Sequence, residues 1–377
     1  MGAGLERLTR RQLEVAVLVA DGLSDREVAE KLFITKRTAE WHVQQILTKL
    51  ILKSRSQIAA RVSQAEALGF PLLIAERLPP SPAQLTAFIG WNPEVSITNE
   101  MLATTRLLAG PAVETDTHRQ QRVIALAEAG YNPVVVRFIY AAALRKVARQ
   151  YPNTQFAIVD DSSLSAENKN VTSLVFADEQ GSYLVGAIAA QASKTGIIGF
   201  VGGVHVPFIE KFHAGYAAGA RVVNPSIRLL VDYLTEPPDF SGFADPARGK
   251  VAADRMYHSA ADVVFHAAGG SGQGVFRAAK AAGALAIGVD SDQYMAAPAD
   301  TKACILTSML KRVDVAVNEY VQPYARKAPL SGVNIFDLAK AAVDYSKSNP
   351  LVQPYEATAE GLRQQIIARS VTVPDTP

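Results

Sequence analysis

From about residue 85 onward, short continuous apolar runs alternate with alanine-rich stretches of helical length, and this alternation restricts the fold most. The runs are Leu85 to Ile89, Pro133 to Arg137, Phe156 to Val159, Gly199 to Gly202, Leu229 to Tyr233, Val263 to Ala267 and Ala286 to Val289. Between them lie helical stretches such as Ala141 to Gln150, Leu184 to Ser193 and Val251 to Ala260. A strand that is apolar on both faces must be covered on both faces, and parallel strands need a crossover, usually a helix. The pattern predicts parallel sheets with helices on each side. Roughly 265 residues is long for one such sheet, so two lobes with a cleft between them are expected. Ligands in such folds bind beyond the carboxyl ends of the strands.

The first 65 residues follow a different pattern. They hold eleven lysines and arginines against seven acidic residues, and between Lys31 and Arg61 seven basic residues face Glu40 alone. The rest of the chain is slightly acidic, with 27 basic and 29 acidic residues. A short basic segment on a larger body suggests a polyanion-binding module, although a solvated helix surface gives the same count. Four short helices are predicted. Thr9 with Gln12 and Ser24 with Glu27 read as capping boxes, and Thr35 opens a third helix running to about Leu50. The apolar positions Ala39, Val43, Ile46, Leu47 and Leu50 of that helix recur every three or four residues. A fourth helix begins near Ser56.

This arrangement is a helix-turn-helix, and particular segments make it specific. Leu8-Thr-Arg-Arg-Gln-Leu-Glu-Val, Gly22-Leu-Ser-Asp-Arg-Glu-Val-Ala, Arg37-Thr-Ala-Glu-Trp-His-Val and Lys49-Leu-Ile-Leu-Lys-Ser-Arg-Ser resemble the LuxR-type DNA-binding domain. The resemblance implies that the helix capped by Thr35 enters the major groove of double-stranded DNA. Lys36, Thr38, Lys49 and Arg55 then stand where phosphate contacts are expected. Glu40, Trp41 and Gln44 occupy the positions that face base edges. Gln44 suits adenine and Glu40 a cytosine amine. Trp41 reads either as a groove residue or as a hydrophobic contact within the module.

Composition excludes several classes. Hydrophobic residues make up 49% and charged residues 20%, a globular mixture. The single cysteine, Cys304, excludes a disulfide framework and a multi-thiolate metal site. No apolar run is long enough to span a bilayer, and charges at Glu6, Arg7, Arg10, Arg11 and Glu14 interrupt any secretory signal. The chain is read as cytoplasmic. Pro71, Pro79, Pro80 and Pro82 mark a boundary. The expected division is a DNA-binding domain over residues 1–68, a linker over 69–84, a ligand-binding domain over 85–350 and a C-terminal tail over 351–377.

The strand ends carry Asp160-Asp161, Gly202-Gly203, Gly269-Gly270-Ser271-Gly272-Gln273-Gly274 and Asp290-Ser291-Asp292-Gln293. The glycine cluster is not a dinucleotide fingerprint, because counting from Gly270 places Val275 where the last small residue belongs. Asp160-Asp161 reads as a turn. His205, His213, His258 and His266 show no metal-ligand spacing, and no nucleophile motif appears, so neither an enzyme nor a cofactor is expected.

Phe156-Ala-Ile-Val-Asp, Glu179-Gln-Gly-Ser-Tyr-Leu, Ala267-Ala-Gly-Gly-Ser-Gly-Gln-Gly-Val-Phe, Ile287-Gly-Val-Asp-Ser-Asp-Gln and Leu306-Thr-Ser-Met-Leu-Lys-Arg-Val-Asp resemble the basic membrane protein family. These are substrate-binding proteins similar to purine nucleoside receptors. The expected fold class is thus an all-α four-helix LuxR-type helix-turn-helix domain plus an α/β two-lobed type I periplasmic-binding-protein fold. The resemblance implies a nucleoside-like effector. Asp290 accepts from ribose hydroxyls, Lys311 donates to the same sugar, and the Gly269-Gly270 backbone allows close approach. Phe243 stacks on the base. The family's first-lobe aromatic position is Ile97 here, and Trp91 or Phe88 is the substitute ring. Three alternatives stay open: Asp290 and Asp292 as turn and cap, Lys311 as a surface ion pair beside Arg312 and Asp314, and Phe243 as core. Joined, the two parts read as a homodimeric, ligand-responsive regulator; a transport binding protein is the alternative.

Overall fold

The computed structural model describes residues 8, 10–20, 22–32, 35–67, 86–90, 105–109, 115–325 and 330–377. The N-terminal module is four helices: α1 (Arg10–Ala20), α2 (Asp25–Leu32), α3 (Lys36–Leu50) and α4 (Arg55–Ala67). Local chemistry sets their ends. The Ser24 N–H donates to Glu27 Oε2 at 2.8 Å, and the Glu27 N–H donates back to Ser24 Oγ at 3.4 Å, closing the expected capping box. Thr35 Oγ1 accepts the Thr38 N–H at 3.2 Å, starting α3. Ile51, at φ 56°, ends α3 in the left-handed region. The expected positions Ala39, Val43, Ile46 and Leu50 are buried with Val15 to Val19, Val28, Ile58 and Val62. The capping role of Thr9 and the linker over 69–84 lie outside the described residues.

The remaining strands form two six-stranded sheets. In the first, β1 (Thr86–Gly90), β2 (Thr105–Ala109), β3 (Val134–Arg137), β4 (Phe156–Val159) and β5 (Val171–Phe176) are joined by β11 (Gly332–Phe336) in the order β11-β5-β4-β3-β1-β2. Helices α5 (Asp116–Glu128) and α6 (Ala141–Gln150) bury Val123, Leu126, Leu144 and Val147 in one core with Val134, Val136, Phe156 and Ile158. A single turn, α7 (Leu164–Glu167), precedes β5.

The second sheet holds β6 (Ile197–Val204), β7 (Arg228–Thr235), β8 (Val263–Ala267), β9 (Leu285–Asp290), β10 (Ile305–Lys311) and β12 (Val343–Tyr345), in the order β12-β10-β9-β8-β6-β7. All neighbours are parallel except β12, which runs antiparallel to β10. Its helices are α8 (Asp178–Ala192), α9 (Pro207–Val223), α10 (Pro246–His258) and α11 (Gly272–Ala282), then the short α12 (Gln293–Ala296) and α13 (Ala299–Lys302), α14 (Val313–Ala325) and α15 (Glu356–Ile367). The chain separates into two compact units, dividing inside β5 between Ser173 and Leu174.

Every run expected as a strand is one. Five strands, β2, β5, β10, β11 and β12, lie outside the expected runs, and two of them have a clear physical reason. In β10, Thr307, Ser308 and Lys311 are buried, so its pattern is not apolar, and Thr307 Oγ1 donates to the Ser346 carbonyl at 2.6 Å. In β11, Val333 and Ile335 are exposed and the strand lies at a sheet edge. Helix α10 begins earlier than expected because Asp245 Oδ1 caps it through the Arg248 N–H at 3.0 Å and Pro246 opens it. Within residues 351–377, expected as a tail, a 3-10 turn to Tyr355 leads into α15, which buries Ala359, Leu362 and Ile366 at helical spacing.

Helices α8 and α9 approach unusually closely. Twelve of the fifteen residues of α8 are buried, which is why it is apolar all round rather than striped. The contact depends on missing side chains. A Cβ on Gly215 would run into the carbonyl of Glu179, one on Gly219 into that of Tyr183, and one on Gly186 into that of Tyr216. Gly219→Val is therefore expected to destabilise the second unit by about 2–3 kcal/mol, as overpacking does. Gly361→Ala, on α15 with nothing within 4 Å of the new Cβ, should stabilise by about 0.5–1 kcal/mol. Thermal unfolding of the two variants against the parent checks both signs.

Candidate functional site

On the helical module, α3 presents Lys36, Arg37, Glu40, Trp41 and Gln44 to solvent. Trp41 is 55% exposed and meets His42 edge-on at 5.0 Å, so its ring is not part of the module's core. Lys36 Nζ lies 3.4 Å from Glu40 Oε1, one helical turn away, which partly offsets both charges. Thr38 shares a hydroxyl hydrogen bond with Thr35 at 2.8 Å. Two of the expected phosphate ligands also make bonds within the module. Lys49 Nζ donates to Gln12 Oε1 at 2.8 Å, and Arg55 pairs with Asp25 while also donating to the Leu23 carbonyl. Arg55 thereby fastens α4 to the turn before α2. Arg37, which was not singled out from the sequence, is exposed beside Lys36.

In the second unit, five parallel strands end on one edge of the sheet, and the predicted ligand residues follow those ends. Phe243, in a 3-10 turn at Ser241–Phe243, is 6% exposed. Its ring fills the space that a side chain on Gly203 would take, while one on Gly202 would run into the Tyr233 ring. Gly269 has φ +52°, and a Cβ there would come within 3.0 Å of the Phe243 carbonyl. The Gly269-Gly270 turn thus makes room for the backbone at Phe243. Asp290 closes β9, is exposed, and holds a left-handed φ of 66°. It sits in register with Leu310, next to Lys311 on the neighbouring strand. Asp292 is a helix cap, accepting the Met295 N–H at 3.3 Å and the Ser348 hydroxyl at 2.9 Å. Asp161 closes a turn through Ser163. Trp91 lies outside the described residues, and of Phe88 only the backbone in β1 is described.

Lys311 is no surface ion pair. Its Nζ lies 3.1 Å from Asp178 Oδ2, and the two side chains are only 4% and 1% exposed. The rings of Phe176, Phe212 and Phe208 surround the ammonium at 4.9, 5.4 and 5.7 Å from their centroids. Arg312 pairs separately with Asp314 at 2.8 Å. Sequence reasoning missed Asp178, because the predicted helix begins only at Leu184 and its partner lies 133 positions away.

The histidines are structural or peripheral. His205, just after β6, bonds Glu236 through Nδ1 at 2.9 Å and Glu210 through Nε2 at 2.8 Å. The hydrogen bond to Glu236, then the charges of both carboxylates, raises its pKa. Its ring stacks on Tyr233 at 4.2 Å. His213 bonds the Tyr233 hydroxyl at 3.1 Å, and burial lowers its pKa. His266 is wholly buried, and burial pushes it down to about 4. Among the described residues no group of three or more His, Cys, Asp or Glu side chains is placed to hold a metal ion, and no helix is long and apolar enough to cross a membrane.

Two outcomes follow. Removing one partner of a buried ion pair costs about 3–5 kcal/mol, whereas replacing both is much cheaper. Lys311→Met and Asp178→Asn should each strongly destabilise the second unit in urea unfolding, and the double variant should recover most of the loss. For His205 the folded pKa lies above the unfolded value near 6.5. Its stabilisation is therefore complete below that value and fades as pH rises through the folded pKa. Melting temperature should fall between pH 6 and 9 more steeply in the parent than in His205→Gln.

Known proteins are similar to this chain in sequence and in fold. Residues 97–377 match the sequence model of the family described as ABC transporter substrate-binding protein PnrA-like, and residues 6–62 that of bacterial regulatory proteins, luxR family. A CD4+ T-cell-stimulating antigen of Listeria innocua is 37% identical over 249 residues, 62% of this chain and 68% of the relative. An ABC transporter nucleoside-binding protein of Lactococcus lactis is 34% identical over 253 residues, 63% of this chain and 70% of the relative. Among solved structures, a transcriptional activator of the comK gene from Bacillus halodurans has a TM-score of 0.62 at 20% identity, covering 78% of this chain and all of that one. This likeness is one of fold, and it agrees with the expected periplasmic-binding-protein class. The chain belongs to the PnrA-like substrate-binding protein family and carries a luxR-family regulatory domain at its N-terminal end.

Proposed function

We propose that the chain is a ligand-responsive transcriptional regulator that acts in the cytoplasm as a homodimer. The observation that carries this reading is the coexistence of two parts in one polypeptide. One is a luxR-family head whose third helix exposes Glu40, Trp41 and Gln44. The other is a PnrA-like body in which the neighbouring strands β9 and β10 end at Asp290 and Lys311. In the head, Lys36, Arg37 and Thr38 approach phosphates at the start of α3, while Gln44 and Glu40 read base edges. Lys49 and Arg55 act at one remove, by holding the helices that α3 depends on. In the body, a nucleoside-like effector is supported by the Lactococcus relative, which is named for nucleoside binding. An ionised Asp290 accepts from a vicinal diol, and Lys311, oriented by Asp178, donates to the same sugar. The Gly269-Gly270 turn lets the ligand come close to the backbone.

The effector acts by linkage: it shifts DNA affinity only as far as its affinity differs between the DNA-competent state and the other state. The fold does not choose between sensing and transport, since it occurs in both kinds of protein; the luxR-family head favours sensing. A transport role is the second reading, supported by the transporter relatives, and finding the protein outside the cytoplasm on cell fractionation would favour it.

The test is fluorescence anisotropy of the full chain on a duplex recovered by in vitro selection, with and without inosine, guanosine, adenosine or uridine. A nucleoside that raises the melting temperature should change the duplex Kd by about 5- to 150-fold. Asp290→Ala should abolish that response while leaving nucleoside-free DNA affinity unchanged. An unaltered Kd with a nucleoside that does bind would overturn the sensing reading.

A further inference from the structure

Strand β7 is the outermost strand of the second sheet, and among the described residues no strand pairs with its outer side. An open edge offers unpaired backbone N–H and C=O groups, and proteins normally blunt it with a short strand, a lysine, a proline or a bulge. The opposite edge of this sheet is blunted: it ends in β12, three residues long. Strand β7 has eight residues, Arg-Leu-Leu-Val-Asp-Tyr-Leu-Thr, with neither lysine nor proline. Its pairing with β6 keeps one register throughout.

The middle of this edge is apolar and the charges flank it. Val231 is 39% exposed, and Leu229 and Leu230 are half-buried. Val251, one turn before Arg255 on α10, is 56% exposed and widens the apolar area. Arg228 is exposed, and no ion pair among the described residues uses it. Asp232 meets Arg255 through Oδ2. The Arg228 N–H donates inward, to the Gly196 carbonyl. Alternation along the strand then turns the backbone groups of Leu229 and Val231 outward, where a further strand would bond them.

We propose that β7 is a self-pairing edge. Two copies of the chain join β7 to β7, antiparallel, about a twofold axis between their Leu230 residues, so that one sheet continues across the dimer. This inference rests on the homodimer of the reading above and gives it a surface. The pattern of the strand selects the register. A twofold axis through an antiparallel pair keeps each face of the sheet on one side, so residues directly opposite must share a face. Centred on Leu230, the pairing sets Leu229 against Val231 of the second copy and Arg228 against Asp232 of the second copy. Apolar thus meets apolar and plus meets minus, and the symmetry makes each match twice. Centring on Leu229 would set Arg228 against Leu230, and centring on Val231 would set Asp232 against Leu230.

The experiment is sedimentation equilibrium of the full chain over a concentration series, for the parent, Arg228→Glu, Asp232→Arg and an equimolar mixture of the two variants. Alone, each variant faces its own copy with like charges. In a mixed dimer the two reversed charges meet as opposites, and so do the two native ones. Each variant alone should dimerise roughly 10- to 100-fold more weakly than the parent, and the mixture should return to the parent's Kd. Val231→Lys, a charge in the apolar middle, should weaken the dimer without recovery on mixing. If both charge variants dimerise as well as the parent, this edge is not the interface, and the homodimer stands on another surface. A loss that mixing fails to restore reflects damage within each chain and rejects the register. A parent chain that stays monomeric throughout the series removes the homodimer and this surface together. Melting temperatures monitor folding; both charged side chains lie at the sheet edge, so they should stay near the parent's.

Discussion

The buried ion pair between Lys311 and Asp178 is the constraint around which the second unit is organised. An ammonium and a carboxylate removed from water each carry a desolvation penalty of several kcal/mol, which their mutual attraction repays only in good geometry. That requirement fixes the end of β10 against the start of α8. It also brings in the ring of Phe176, from the end of β5, and that of Phe212, from α9. Four elements are thus held at the sheet edge where the strand ends converge. Any drift of one would expose the charges poorly to water and poorly to each other.

Glycine plays the complementary part. Where the ion pair pulls elements together, missing side chains let them come close enough. Gly215 and Gly219 allow α9 to lie on the backbone of α8, and Gly203 leaves the space that the Phe243 ring occupies. The left-handed backbone of Asp290 is a small strain of the kind that persists only where the surroundings over-determine it. It lies one residue from the register position of Lys311, among the residues proposed to meet the ligand.

The head is organised by the same logic on a smaller scale. Arg55 and Lys49, basic residues that the family resemblance puts at phosphate contacts, also join helices that are far apart in sequence. What remains exposed on α3 is mixed in character: Lys36 set against Glu40, and an indole next to Gln44. Such a surface is suited to reading a particular sequence as much as to attracting a polyanion, because uniform positive charge carries no sequence information.

The parts that were legible from the residues alone are those governed by near neighbours. The seven apolar runs, the alternation with helices, the Ser24–Glu27 and Thr35 caps and the buried stripe of α3 all depend on residues one to seven positions apart. Periodicity and capping chemistry report such short-range relations directly. The family motifs extended that reach by showing which strand ends to inspect. The partnership of Lys311 with Asp178 spans 133 positions, and nothing local to either residue announces it. The same holds for Arg55 with Asp25, Lys49 with Gln12, and the near-parallel rings of Phe208 and Phe243. The order of α15 was hidden too, because its three buried residues are too few to signal a helix until α8 provides the surface they cover. A side chain's partner across the fold is set by where the backbone carries it, and desolvation and packing then select among the groups that arrive there.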